Sequence, residues 1–178
     1  MSDSDMTVAA YRPGLGRLIK DHLTQYRDSA GREGHIIDTT PFKNPRFTPT
    51  LLLQTRGRKT GKVHRVPLAY GLFGREWVLI GTKGGTPEHP AWYLNLLSQP
   101  ECEMRVATQV FRCSWREAKG EERQRAWDYM CELHPLVERY ERVASNRVIP
   151  VIMLLPLEEI RALQTDANSA KKPVDQGC

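Results

Sequence analysis

Two glycine-rich turns hold the residues of this chain best suited to chemistry. The first, Gly57-Arg58-Lys59-Thr60-Gly61, sets two cations and a hydroxyl between two glycines. Arginine offers a planar fork and lysine a point charge, and both bind phosphate or carboxylate directly. Arg56, Lys62 and Arg65 make this the densest basic cluster of the sequence. The second turn, Thr82-Lys83-Gly84-Gly85, places two glycines where successive N–H groups can form a small anion nest. Such amides can also read the carbonyl and ring-nitrogen edge of a flat heterocycle. His89-Pro90-Ala91-Trp92-Tyr93 follows, with proline suited to a helix's first turn and two aromatics behind it. The chemistry implied is binding of a large anionic ligand with a flat ring. The plainer readings are a solvated hairpin tip for the first turn and a strand-ending turn for the second.

Several other site types lack their residues. The basic turn is not a Walker loop, because Arg56 stands where the first glycine belongs and Val63 where Ser or Thr belongs. His22, His35, His64, His89 and His134 have no HExxH or other metal-ligand spacing, so no metal site is expected. A Gly-x-Ser-x-Gly elbow is missing, as is a GxGxxG following a strand. Cys102, Cys113, Cys131 and Cys178 form no CxxC pair and read as reduced thiols. The net charge of +5 favours an acidic partner: a polyanionic cofactor, anionic lipid or nucleic acid. Nucleic acid is the weakest of these, since the strands lack interleaved exposed aromatics and bases. No run is long and apolar enough to span a bilayer, so a cytoplasmic protein is expected, at most peripheral on a membrane.

The elements that must position the turns follow from periodicity. Leu15–Tyr26 puts Leu15, Leu18, Ile19, Leu23 and Tyr26 on one helical face, to dock on the domain or lie on a membrane. Residues 27–50, rich in Gly, Pro, Thr and Asn, read as a long loop. Strands are expected at 51–56, 66–72, 77–82, 102–107, 110–117 and 148–155, with Pro67 marking an edge or bulge. Helices are expected at 90–97, 121–133 and 136–144, and a helical turn or two at 157–164. The organisation is residues 1–49 as tail, helix and loop, 50–164 as the cofactor-binding domain, and 165–178 as a polar tail. This is mainly β with peripheral helices. Periodicity alone leaves a small barrel and an open α+β sheet both standing.

GRKTG, the strand ending in PL, and KGG-x-x-x-x-P-x-WYLNL occur in order within Thr50–Leu155. In these segments the chain resembles the deazaflavin-dependent nitroreductases, also called F420H2-dependent quinone reductases. The resemblance implies a split β-barrel of the FMN-binding-like kind. It also implies an oxidoreductase passing a hydride from reduced coenzyme F420 to a quinone, nitroaromatic or activated enone. FMN or haem is the alternative ligand on the same fold. Carried onto this sequence, coenzyme binding falls to Arg58, Lys59, Thr60, His64, Arg65, Pro67, Thr82, Lys83, Gly84, Gly85, Ala91, Trp92 and Tyr93. Thr82, His134 and Tyr140 are the candidates for proton or hydrogen-bond donation. The nitroimidazole-activating members of that family have a stretch resembling Y-P-x-Y-x-x-Y where this chain has His134-Pro135-Leu136-Val137-Glu138-Arg139-Tyr140, and Ala69 replaces an aromatic. Fewer phenols imply a more open acceptor wall, favouring quinones and small enones over bulky nitroimidazoles. A homodimer and peripheral membrane contact through the first helix complete the expectations.

Overall fold

The computed structural model describes residues 15–40, 47–144 and 147–165. The polar ends 1–10 and 166–178, Arg12 and Cys178 lie outside the described residues. Helix α1 covers Leu15–Asp28. Strands β1 (Ile36–Asp38), β2 (Phe47–Arg56), β3 (Val63–Ala69), β4 (Gly71–Phe73) and β5 (Glu76–Ile80) follow. A short turn at Lys83–Gly85 leads to helix α2 (Ala91–Leu96). Then come β6 (Glu101–Val106), β7 (Gln109–Glu117), α3 (Gly120–Leu133), α4 (Leu136–Val143) and β8 (Val151–Ile160).

All the strands join one antiparallel sheet in the order β1-β2-β6-β7-β8-β5-β4, with β3 paired to β2 alone. That edge position fits Pro67, which has no N–H to give a second neighbour. Period-two alternation then sorts the side chains. Leu79, Ile152 and Leu154 pack with Leu51, Leu53, Met104 and the aromatics of α2. The intervening Val78, Val151 and Met153 pack on the other face against Trp127, Met130 and Val137 of α3 and α4. The curled sheet therefore has two cores, and α2 seals the inner one.

Three expectations are corrected. Residues 27–50 are not a structureless loop: β1 pairs with the start of β2 as Ile36↔Pro49, Ile37↔Thr48 and Asp38↔Phe47. Composition hides this pairing because backbone ladder bonds do not need a hydrophobic run. Residues 157–160 are strand, not helix. The helix-forming glutamates Glu158 and Glu159 are overridden by the ladder that β7 offers, with Val110↔Ile160 and Arg112↔Glu158. A register shift at Arg112/Cys113, opposite Pro156, admits the proline that lacks a ladder donor. Among the described residues eight strands form instead of five or six, since β1 and β4 are three residues each.

Helix α1 docks on the barrel. Its anchor is Tyr26, which is 0% exposed. The phenol oxygen lies 3.0 Å from Thr50 O and 3.2 Å from Arg105 O, and accepts the Ala107 N–H at 3.0 Å. Burial pushes the phenol up to about 12, so it stays a neutral donor at any physiological pH.

Candidate functional site

The basic turn closes β2 to β3. Gly57 N–H donates to Lys62 O, and Gly57 O accepts from Thr60 and Gly61 N–H. Gly61 takes φ +67, a conformation glycine adopts without strain. Arg58, Lys59 and Thr60 are exposed at the tip. Asn95 fixes the turn from behind: its Oδ1 accepts from Arg58 N at 3.2 Å and Arg58 Nη1 at 3.4 Å, while its Nδ2 donates to Thr55 Oγ1. Asn95 belongs to α2, three residues after Trp92, so one short helix carries both the anchor of the turn and Trp92.

The second turn is built differently. Thr82 is right-handed (φ −66, ψ −41), while Lys83, Gly84 and Gly85 have φ of 46, 65 and 80. A right-handed residue followed by left-handed ones is the backbone form of an anion nest. Lys83 adopts it without the freedom of glycine. The turn is closed by Gly85 N–H to Thr82 O and Thr86 N–H to Lys83 O. Those bonds do not use the amides of Lys83 and Gly84.

The second turn, but not the first, lines one large cavity, of about 1010 Å³. Thr82, Lys83, Gly84, Trp92, Pro90 and Tyr140 line one side; Val66, Pro67, Leu68 and Ala69 of β3 line another. The remaining wall is α1 and β1, through Leu18, Ile19, His22 and Ile36. The interior is mostly apolar, with a few convergent donors, which is the usual make-up of a small-molecule site. Tyr140 is half-buried, and desolvation raises its phenol above the usual value. His22 Nε2 lies 2.7 Å from Gly34 O, which holds the ring against the cavity's rim.

Of the residues singled out from sequence, the cavity gathers Pro67, Thr82, Lys83, Gly84, Trp92 and Tyr140. Arg58, Lys59, Thr60 and His64 stand outside it at the basic turn, and Ala91 is exposed at the start of α2. Gly85 is buried behind the loop against Tyr140 and Val143. Tyr93 is a core residue whose hydroxyl donates to Glu117 at 3.0 Å, with its phenol pushed up to about 12 by burial and that bond. Arg65 points to the face opposite His64, where Nε donates to Gln54 Oε1 at 2.7 Å. Gln54 in turn donates to the buried Glu103, whose carboxyl is raised by desolvation. His134 is buried, with Nε2 3.0 Å from Tyr70 O, and does not line the cavity. Val137 sits in the outer core and does not line it either.

Sequence reasoning missed Arg147, whose guanidinium bonds the carbonyls of Gly81, Thr82 and Thr86. It also missed the cavity wall made by α1. The amphipathic stripe Leu18, Ile19, His22 was a legible signal, but not for which surface it meets.

Residues 18–156 match the family described as F420H(2)-dependent quinone reductase. An F420H(2)-dependent quinone reductase of Mycobacterium tuberculosis is 32% identical over 142 residues, 78% of this chain and 89% of that protein. A solved F420-H2 dependent reductase (FDR-A) is 33% identical, with a TM-score of 0.55 over 60% of this chain and 93% of that one. A second solved chain, described as a domain-swapped dimer, is 27% identical with a TM-score of 0.57, covering 78% of this chain and 98% of that one.

Proposed function

This chain belongs to the F420H2-dependent quinone reductase family, and from that premise we propose how its own residues bind coenzyme and acceptor. It is an oxidoreductase with a curled, split-barrel-like sheet, using reduced F420 and passing a hydride to a quinone. The family relation removes the support for an FMN, haem or nucleic-acid reading.

The observation that carries the residue assignment is the single cavity joining the nest, Trp92 and Tyr140 to the wall of α1. Its volume admits a tricyclic ring with an acceptor beside it. The donor set fits the coenzyme: amides and the Thr82 hydroxyl for a heterocycle edge, Trp92 for a ring face. The exposed cations Arg58, Lys59 and Lys62 suit the phosphodiester and glutamate carboxylates of its tail. When bound, the coenzyme supplies the hydride.

The chain's part is orientation, exclusion of water and proton supply. Hydride arrival on a quinone moves an electron pair onto a carbonyl oxygen, which must then take a proton. Tyr140 and Thr82 are the hydroxyls at the cavity. A phenol held above its usual pKa remains protonated, so Tyr140 donates a hydrogen bond to the developing oxyanion, and solvent delivers the net proton. His134 is given no part in this, because its Nε2 already serves the Tyr70 carbonyl and it stands off the cavity. It orients the α3–α4 junction instead.

With Ala69 on the wall and Val137 withdrawn from it, quinones and small enones are the favoured acceptors, ahead of bulky bicyclic nitroaromatics. Exposed Leu18, Ile19, Ile36 and Phe47 (79% exposed) with Arg17 and Lys20 support a weak, peripheral contact with anionic lipid. Flotation with anionic vesicles, lost in Ile19→Glu, tests it. No helix among the described residues is long and apolar enough to cross a membrane. A dimer, as in the solved relative, is decided by light scattering.

The deciding experiment titrates the protein with oxidised F420 and with FMN, following tryptophan fluorescence, then measures turnover of a simple naphthoquinone. We expect F420 to bind tighter than FMN, and Tyr140→Phe to lower kcat while leaving coenzyme affinity unchanged. Tighter FMN binding, or full activity in Tyr140→Phe with Thr82→Val, overturns the assignment.

A further inference from the structure

Residues Gly81–Thr86 carry an unusual backbone with one side chain behind it. Arg147 Nε donates to Thr86 O at 3.0 Å, Nη1 to Gly81 O at 2.9 Å and Nη2 to Thr82 O at 2.6 Å. All three guanidinium nitrogens serve one six-residue loop. Among the described residues Arg147 has no carboxylate within ion-pair distance. Desolvation lowers its pKa, and Glu88 only partly opposes this. The half-buried cation therefore meets backbone carbonyls rather than a carboxylate.

The geometry of the peptide group gives this arrangement a consequence. A trans peptide holds its C=O and N–H antiparallel, and no cis bond occurs among the described residues. The carbonyl of Thr82 and the amide of Lys83 are one peptide plane. With Thr82 O held by Arg147 and by the Gly85 N–H, the Lys83 N–H must point away from both. Thr82 and Lys83 line the cavity and Arg147 does not. The left-handed φ of 46 at Lys83 is unfavourable for a residue with a Cβ, so the turn needs an outside constraint to hold it.

We propose that Arg147 is the positioning residue of the nest: it fixes the Thr82–Lys83 peptide so that the Lys83 amide is presented to the ligand. Its charge, set behind the loop, also favours negative charge on the ligand edge that the amides meet. Its contribution to ligand binding rests on the reading that this loop contacts the coenzyme; the clamp itself does not.

The test uses the whole chain with Arg147→Lys, Arg147→Gln and Arg147→Ala. Amide hydrogen exchange of the ligand-free protein reads the clamp. We expect exchange across residues 82–86 at least tenfold faster in Arg147→Gln, with β7 and β8 unchanged. Titration with oxidised F420 reads the consequence: about tenfold weaker binding in Arg147→Gln, partial recovery in Arg147→Lys, and rescue of Arg147→Ala by millimolar guanidinium. KM for the quinone should stay put while KM for the coenzyme rises. Unaltered exchange in all three variants overturns the clamp. Faster exchange spreading equally through β8 reduces Arg147 to a general stabiliser and overturns it too. Faster loop exchange with unchanged F420 affinity overturns the presentation of the amide. Wild-type protein that fails to bind F420 removes the functional reading, and exchange alone then judges the clamp.

Discussion

The basic turn and the Thr82–Thr86 loop are written in the same alphabet of Gly, Lys and Thr, yet they are opposite devices. At Gly57–Gly61 hairpin bonds close the backbone, Asn95 holds Arg58, and the side chains of Lys59 and Thr60 are exposed. At Thr82–Thr86 Arg147 holds the carbonyls of Thr82 and Thr86, and the amides of Lys83 and Gly84 take no part in closing the turn. On the proposed reading, one would recognise with exposed charge, the other with fixed dipoles. Mobile charge suits a flexible anionic tail, whose partners are screened by salt and need no fixed geometry. Fixed dipoles suit a rigid ring, because they need no reorganisation when the ligand arrives.

The sharpest way to break this comparison is to add the same methyl group to each. Gly61 and Gly85 both have positive φ, at +67 and +80. A Cβ on Gly61 meets nothing within 4 Å, whereas on Gly85 it comes within 3.0 Å of Tyr140 O and of Val143 Cβ. Gly61→Ala should therefore cost only the left-handed strain, about 1 kcal/mol. Gly85→Ala adds overpacking against α4 and should cost about 2–4 kcal/mol in total. Equilibrium denaturation of the two variants measures this; equal losses would erase the distinction between an open tip and a packed loop.

Next in size is the effect on binding. Lys59→Ala should weaken F420 by about tenfold, from loss of one charge-assisted contact of about 1.5 kcal/mol, with the melting temperature unchanged. Raising the salt should shrink that difference, since Lys59 is exposed. The deficit of Arg147→Gln should persist in salt. If both variants respond to salt alike, the two turns do not divide the ligand between charge and dipole.

The smallest effect concerns pH. His89, between the loop and α2, packs on Tyr93 with the rings tilted and 5.0 Å between centres, and its Nδ1 is buried without a hydrogen-bond partner. Burial, then the Arg147 charge, lower its pKa, while Glu117 pulls weakly the other way. The native state thus binds a proton less readily than the unfolded chain, whose value is about 6.5. Stability contributed here is complete above that value and declines as pH falls from it towards the lower native one. Thermal melts from pH 8 to pH 5 should slope less in His89→Gln than in wild type. Parallel curves would show that its surroundings do not disfavour the charged form of His89.

Much was written in the chain order. Alternation in 66–72 marks a strand with one buried face, the short apolar run from Trp77 to Ile80 marks a strand covered on both faces, and the 3.6-residue stripe of 121–133 marks a helix. The glycines flag both turns, since few other residues tolerate positive φ. Pro67 marks an edge because it lacks a donor. Short β1 and β4, and the far half of β8, were not legible. They exist because a neighbouring strand offers a ladder, and a ladder partner is not a local property. Local propensity even misled at Leu157–Ile160, where two glutamates favour helix and β7 imposes strand.

The sequence by itself determined that two polar turns, an aromatic helix start and Tyr140 were the residues to watch. Only the tertiary structure decided which of them share a space. It gave Trp92 to the cavity and Tyr93 to Glu117, it turned Arg65 away from His64, and it set His134 behind the wall. It also brought Arg147 to a loop more than 60 residues earlier, with |i−j| of 61 to 66. The physical reason is the same in each case. Residue type and period fix what a side chain can do and which face of its own element it occupies. What it meets is set by the pairing of distant strands and the docking of α1, through contacts that no local stretch of sequence contains.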